Sequence, residues 1–494
     1  MKYYHKQMLW LNLFLIVILA TPSQYVYGQE ATPDYPVYIV AEGDNMWRIA
    51  QQFSITIDDL TKANNISDPN QLTVGMELKV PGLQGIKGTL ITQKLPFGEN
   101  LRSLSRRYRV SQDALARLNR VVNPSSALYA GANLILIKGL EKSQQTNGTT
   151  AKRALLLRGE SLLELAVIQN TNPWTIMGIN QIDNTWQSMP EDILQLSGQN
   201  TQGPGALPGF VEKVTILPEP LGQGKTGTIR LSIDTSSVQL PNDFITGTLA
   251  GQKLNFFPLT DNNTSSKSTE FISLQGLHNS LEPGYYPLKL TFNTGNDNIY
   301  SYDQSIFIQD SKFVYEKLNV TDETLLDPKI AKPEEQQIAG LTSKITAQKF
   351  WNGKFKNPVD KEYIDCWPST YGRRRSYNGS GFTYIHTGLD FCGQEGFKIY
   401  APGAGKIIFS GKLDVRGNTT IIDHGWGIYS MYCHQSEIKT KLGDMVEPNQ
   451  IIGLIGKTGR VTGPHLHWEI WVGGIQVDPY DWLLNEYPQL SKEE

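Results

Sequence analysis

Four of the seven histidines in this 494-residue chain fall in three short stretches near its C-terminal end. His465 and His467 stand two apart in Gly463-Pro464-His465-Leu466-His467-Trp468-Glu469-Ile470-Trp471-Val472. Read as a strand, this stretch puts Leu466, Trp468, Ile470 and Val472 on an apolar face and both imidazoles on the other. Two imidazoles so placed are set to share a small ligand, and the ion imidazole most often holds is zinc. In Tyr384-Ile385-His386-Thr387-Gly388-Leu389-Asp390-Phe391 the same period puts His386, Gly388 and Asp390 on one strand face. Gly388, with no side chain, leaves room there for a metal. A third stretch, Tyr429-Ser430-Met431-Tyr432-Cys433-His434, ends on another histidine.

Together, His386-x-x-x-Asp390, His434 and His465-x-His467 resemble the lysostaphin/LytM-type zinc metallopeptidases. The flanks agree: Tyr371-Gly372-Arg373 upstream, Thr458-Gly459-Arg460-Val461-Thr462-Gly463-Pro464 before the pair, and Val477-Asp478-Pro479 after it. The resemblance covers roughly residues 362–484, and no catalytic position departs from the family pattern. It implies an all-β, duplicated-hybrid-motif-like domain over 360–485 that hydrolyses peptide bonds, a murein endopeptidase. The implied zinc ligands are His386, Asp390 and His467, with a fourth position open to water. His434 and His465 are the implied catalytic pair, one taking a proton from water and the other hydrogen-bonding the developing negative charge. Arg373, Arg374, Arg375, Tyr377 and Asn378 precede His386 and read equally as groove lining or as a solvated loop.

The elements that must position these residues are β-rich. Ala401–Phe409, Thr419–Asp423 and Ile428–Tyr432 read as consecutive strands, with glycine turns between them. His424 precedes a turn and is left out of the site. Cys433, next to His434 on a strand, is expected to point away from the site into the core. That leaves Cys366 and Cys392 as a candidate disulfide, against the alternative that all three cysteines are reduced. Glu334–Lys349 has helical spacing at Ile338, Leu341 and Ile345, within a helical linker at 320–350. It reads as a surface helix packed on a neighbour. Residues 210–310 alternate with the spacing of an immunoglobulin-like β-sandwich and carry one histidine, His278, so they read as a spacer.

Nearer the N-terminus a unit occurs three times, at 37–82, 89–139 and 151–197. Glu42-Gly43-Asp44-Asn45 recurs as Phe97-Gly98-Glu99-Asn100 and as Arg158-Gly159-Glu160-Ser161. An asparagine follows each glycine by 21 residues: Asn64, Asn119 and Asn180. Each unit reads as strand, two short helices and strand, with Asp44, Glu99 and Glu160 at helix N-termini. The units resemble LysM domains, an α+β module, and the third is the most divergent. The resemblance implies binding of N-acetylglucosamine-containing glycans such as peptidoglycan or chitin; the plain alternative is that they are spacers. Lys142–Thr150 and Ser197–Gly209 have linker compositions.

Charged residues make up 19% of the chain and the net charge is −3, which gives no footprint for nucleic acid. Residues 1–28 read as a signal peptide: Lys2 and Lys6 precede an apolar run from Met8 to Ala20, and Val26-Tyr27-Gly28 offers a cleavage site. An uncleaved anchor is the other reading of that run, and no further stretch is apolar enough to span a bilayer. The whole is expected to be a secreted or wall-associated multidomain enzyme that cleaves peptide bonds in peptidoglycan. Two alternatives have zinc content as their discriminator: an inactive regulator of cell-wall amidases, and a glycan-binding surface protein.

Overall fold

A computed structural model describes residues 35–490, except 84, 109, 122–127, 139–152, 197–202, 237, 239, 260–267, 296–297, 320–327 and 382–383. The expected signal peptide and the linker at Lys142–Thr150 lie outside the described residues. The chain divides into two compact units, one ending at Leu90 and the other beginning at Ile91.

In the first unit, strand Val37–Ile39 pairs antiparallel with Glu77–Lys79, and helices Met46–Phe53 and Ile57–Asn64 lie between them in sequence. Met46, Ile49, Ala50 and Phe53 are all buried, the i, i+3, i+4, i+7 stripe of a core-facing helix. The fixed asparagine has a structural cause. Asn64 accepts the Lys79 backbone N–H and donates to the Leu60 and Lys79 carbonyls, tying the second helix to the closing strand. Asn119 makes the same clamp with Leu115 and Ile135, and Asn180 with Ile176 and Gln195. The carboxylates expected to cap the helices sit one residue too early. Asn45, Asn100 and Ser161 accept the capping N–H groups. Asp44 and Glu160 instead bond back across their turns to the N–H groups of Ala41 and Leu157.

In the second unit the later repeats are built into their surroundings. Gly98 N–H donates to Gln304 Oε1, Tyr302 OH donates to the Glu99 carbonyl, and Glu99 accepts from Arg107 and from Gly205 N–H. Residues 203–209, expected as linker, are packed: Ala206 N–H donates to the Gly98 carbonyl and Leu207 is buried. Next come a five-stranded and a four-stranded sheet. Alternate residues of their strands (Ile229, Leu231, Ile233; Leu288, Leu290, Phe292) fill the core. Phe257, Ile272 and Leu274 of these sheets also enter the core of the C-terminal domain, where Phe257 stacks on Trp426 with centroids 4.9 Å apart.

The C-terminal domain is organised on one antiparallel sheet of seven strands: β1 (Leu389–Cys392), β2 (Gly405–Leu413), β3 (Gly417–Gly425), β4 (Ile428–Gln435), β5 (Met445–Val446), β6 (His465–Val472) and β7 (Ile475–Val477). Their order is β1-β6-β4-β3-β2-β5, with β7 also on β6. The expected strand over Ala401–Phe409 starts later, at Gly405. Leu466, Trp468, Ile470 and Val472 line one fully buried face, as their alternation requires. The expected single strand through 384–391 is divided. Tyr384–Ile385 pairs with Arg374–Tyr377, whereas Leu389–Cys392 pairs with β6. The break lies where the chain crosses β6: a Cβ on Gly388 would stand 2.6 Å from the Trp468 carbonyl oxygen. The linker helix spans Pro328–Thr342, so Ile345 lies beyond it. It packs through Ile338 against Leu413, Ile421, Tyr429, Met431, Cys433 and Trp471 on the second face of the sheet.

Cys366 and Cys392 form a disulfide with Cα atoms 5.4 Å apart, and Cys433 is reduced and buried. Cys433 does not point away from the site: it lies directly opposite His467 in the β4–β6 register, and cross-strand partners share a face. A β-bulge explains the error. Asn418 faces Gln435 and Thr420 faces Tyr432, so Cys433 and His434 together oppose Thr419. With φ of +62°, His434 leaves the alternation and turns to the same side.

His424 is fully buried and neutral: its Nδ1–H donates to the Ala404 carbonyl, its Nε2 accepts from Ser430 Oγ, and burial holds it down to about 4. Between the ordinary value of 6.5 and about 4 the unfolded chain binds a proton that the folded chain excludes. This contribution to stability is therefore intact above 6.5 and is lost as pH falls, at roughly 1 kcal/mol per pH unit. Urea unfolding at several pH values in that window should show a slope smaller by about one proton in His424→Gln.

Candidate metal centre

Asp390 on β1 and His467 on β6 are direct cross-strand partners, so their side chains meet over one face. His386 arrives from outside the sheet, its backbone held by Arg373 and Gly372. His386 Nε2 lies 3.1 Å from Asp390 Oδ1 and 3.2 Å from His467 Nδ1, and His467 Nδ1 lies 2.7 Å from Asp390 Oδ1. Gly388 is the space that permits this, because a Cβ there would sit 2.7 Å from the His467 ring.

The outward nitrogens fix the tautomers. His386 Nδ1–H donates to the Thr370 carbonyl at 2.8 Å, and His467 Nε2–H donates to Glu469 Oε1 at 3.0 Å. His386 Nε2, His467 Nδ1 and Asp390 Oδ1 therefore converge as three lone pairs, an arrangement that repels itself unless a cation lies among them. Two imidazole nitrogens and one carboxylate oxygen form a donor set that suits zinc. Without a metal ion a proton takes the place. Burial opposes charge on His467, but its hydrogen bonds to Asp390 and Glu469 push it up to about 9. Burial likewise opposes ionisation of Asp390, yet His386 and His467 hold its carboxyl well below the usual range. Burial lowers the His386 pKa, against the pull of Asp390.

His434 and His465 stand beside this cluster with ring centroids 5.0 Å apart. His434 Nδ1–H donates to the Thr458 carbonyl at 2.8 Å, and His465 Nδ1–H to the Gly463 carbonyl at 2.9 Å. Each ring is left with Nε2 as a proton acceptor. Burial, helped by His467 and His465, holds His434 down to about 3. The His465 side chain is 19% exposed, the most open of the four, and its Nε2 lies 3.8 Å from Asp390 Oδ1.

All five residues singled out in the sequence are thus brought together. Of the arginines before His386, Arg373 and Arg375 pair with Glu316 and Arg374 bonds the Asn279 carbonyl, while Arg375 also donates to Ser369 Oγ, itself 3.3 Å from His386 Nδ1. Glu469 was not anticipated, although its alternation with His465 and His467 places it on their face. Thr458 lies in the flank that resembles the family, whereas Thr370 and Arg416, which hold His386 and Glu469, carry no local signal.

The sequence model described as Peptidase family M23 matches residues 384–479, and that of the LysM domain matches 38–81 and 97–136. The peptidoglycan DD-endopeptidase ShyB of Vibrio cholerae is 38% identical over 121 residues, 24% of this chain and 28% of its own length. ShyA of the same organism, also a peptidoglycan DD-endopeptidase, is 42% identical over 121 residues, again 24% of this chain and 28% of its own. The chain thus spans little more than a quarter of the length of these relatives. Among solved structures, the lysostaphin catalytic domain of Staphylococcus simulans is 31% identical, with a TM-score of 0.23, covering 25% of this chain and 94% of that one. The chain carries a Peptidase family M23 domain following two LysM domains.

Proposed function

We propose that this protein is an exported, zinc-dependent endopeptidase that hydrolyses peptide bonds in peptidoglycan and is held on the cell wall by its LysM units. The observation that carries this reading is the convergence of His386 Nε2, Asp390 Oδ1 and His467 Nδ1, each fixed from behind. The names of the V. cholerae relatives supply the substrate class. The Cys366–Cys392 disulfide fits an oxidising compartment outside the cytoplasm. Among the described residues no helix is long and apolar enough to cross a membrane. The third repeat, with the same asparagine clamp, is proposed as a divergent LysM-like unit over 151–197 and the two-sheet region as an immunoglobulin-like spacer over 210–310.

His386, Asp390 and His467 would hold the ion. When bound, zinc supplies Lewis acidity toward water and the scissile carbonyl. The remaining steps fall to His434 and His465. Both present Nε2 as an acceptor at rest, so this pair takes the proton that the attacking water loses. The imidazolium so formed can hydrogen-bond the negative oxygen of the tetrahedral carbon while keeping its proton, and then transfer that one proton to the departing amine nitrogen. Backbone carbonyls on both Nδ1–H groups keep the rings from turning.

The test of this reading is digestion of purified peptidoglycan, with mass analysis of the released fragments, alongside metal analysis of the purified protein. His386→Ala, Asp390→Ala and His467→Ala are expected to lose both zinc and hydrolysis, because three ligands leave no redundancy. His434→Ala and His465→Ala should keep zinc and lose about a hundredfold or more in rate. Unchanged turnover in either would remove that histidine from the mechanism. Gly388→Ala should push the His467 ring off the cluster and weaken zinc retention about tenfold or more in competition with a chelator. Removal of residues 37–82 should leave cleavage of a soluble peptide intact while slowing attack on insoluble wall, since tethering sets the local concentration of enzyme.

A further inference from the structure

The linker helix Pro328–Thr342 lies wholly outside the residues matched by the peptidase family, yet one of its side chains is joined to the candidate metal centre by partly buried hydrogen bonds. Glu334 Oε2 accepts the Val415 N–H at 2.7 Å, and its Oε1 accepts the Arg416 N–H at 3.2 Å and an Arg416 guanidinium N–H at 3.0 Å. Arg416 sits in the turn between β2 and β3 and reaches the site in two ways. Its guanidinium donates to Glu469 Oε1 at 3.2 Å, the same oxygen that accepts His467 Nε2–H. Its carbonyl accepts the backbone N–H of His434 at 2.9 Å, holding that residue in its left-handed conformation on the bulge.

Glu469 is completely buried, and five donors surround it: His467, Arg416 and Thr387 on Oε1, and Trp471 and Gln476 on Oε2. The Glu334 side chain is 5% exposed and that of Arg416 14%. Two carboxylates and a guanidinium taken out of water add little net stability, since desolvation offsets their attraction. What such a network does provide is direction, because each partner is fixed by more than one bond. We propose that Glu334 and Arg416 are positioning residues of the metal centre. Through Glu469 they orient ligand His467, and through the Arg416 carbonyl they orient His434, so the helix before the peptidase domain is a working part of its site.

This inference rests on the metallopeptidase reading. Its test uses the full chain, with zinc affinity from chelator competition, the rate at saturating zinc, and thermal unfolding. Outer-shell partners of metal-bound histidines are typically worth 10- to 100-fold in metal affinity. Glu334→Gln, nearly isosteric, should weaken zinc binding about tenfold and lower kcat at saturating zinc with KM little changed. Glu469→Gln should weaken zinc binding by about 10- to 100-fold. Ile338→Ala is the control, because Ile338 anchors the same helix on the same sheet face through an apolar side chain that makes no hydrogen bond to these groups. It should lower the unfolding temperature and leave zinc affinity and kcat as in the wild type. Equal zinc affinity and kcat in Glu334→Gln and wild type would overturn the proposal. So would a loss of zinc affinity in Ile338→Ala as large as in Glu334→Gln, which would mark the helix as general support. A wild-type protein that retains no zinc would instead overturn the metallopeptidase reading itself.

Discussion

Three lone pairs directed at one point repel each other, and the C-terminal domain is built to hold them there. Each candidate ligand is restrained from behind: His386 by the Thr370 carbonyl, His467 by Glu469, and Asp390 by the pairing of edge strand β1 with β6. Flipping either ring would aim an N–H into the cluster and break a buried hydrogen bond outside it. A cation is the one occupant that turns this mutual repulsion into attraction. Most of the polar order around the site serves that end.

The sheet carries the arrangement because its two faces do different work. One is filled by Leu466, Trp468, Ile470 and Val472 with Phe391 and Tyr432, and fixes the register of β6 to within a residue. A slip by one would turn the histidines into this core and Trp468 out of it, so hydrophobic burial determines which way the histidines face. The other face holds His467, Glu469 and Cys433 side by side, partly covered by the linker helix. His434 reaches that side only through the bulge in β4. This local departure from regular pairing, at a residue with positive φ, is of the kind that collects at functional sites.

The modules of the second unit share more than a chain. The loop that opens the second repeat is bonded to the two-sheet region, and that region supplies Phe257, Ile272 and Leu274 to the core of the peptidase domain. Lys225 adds an ion pair with Asp478 and Asp481 at the start of the last helix. A region that reads as a spacer is therefore also a wall of the catalytic domain. Its removal would expose apolar surface there.

The cluster was legible in the sequence because the metal ligation proposed for it needs particular atoms at short spacings. His465 and His467 share a face by the two-residue period of a strand, and the core face between them reads off Leu466, Trp468, Ile470 and Val472 in the same way. The 21-residue interval to Asn64, Asn119 and Asn180 was equally visible, although its cause, a side-chain clamp between helix and strand, was not. Local periodicity failed where the chain leaves regular structure. His386 and Asp390 seemed to lie on one strand, but His386 lies beyond the short strand Tyr384–Ile385 and only Asp390 is in the seven-stranded sheet, and Cys433 joins His434 on the site's side because a bulge shifts the alternation by one. Asp44 and Glu160 missed the cap position by a single residue. What only the tertiary structure decided is which distant groups stand behind the ligands. Thr370, Thr458, Arg416 and Glu334 come from loops and a helix up to 133 positions from the ligand they support. No period links such residues to the site; packing of the sheet brings them there, and the partner of a buried polar group is set by what that packing leaves within reach.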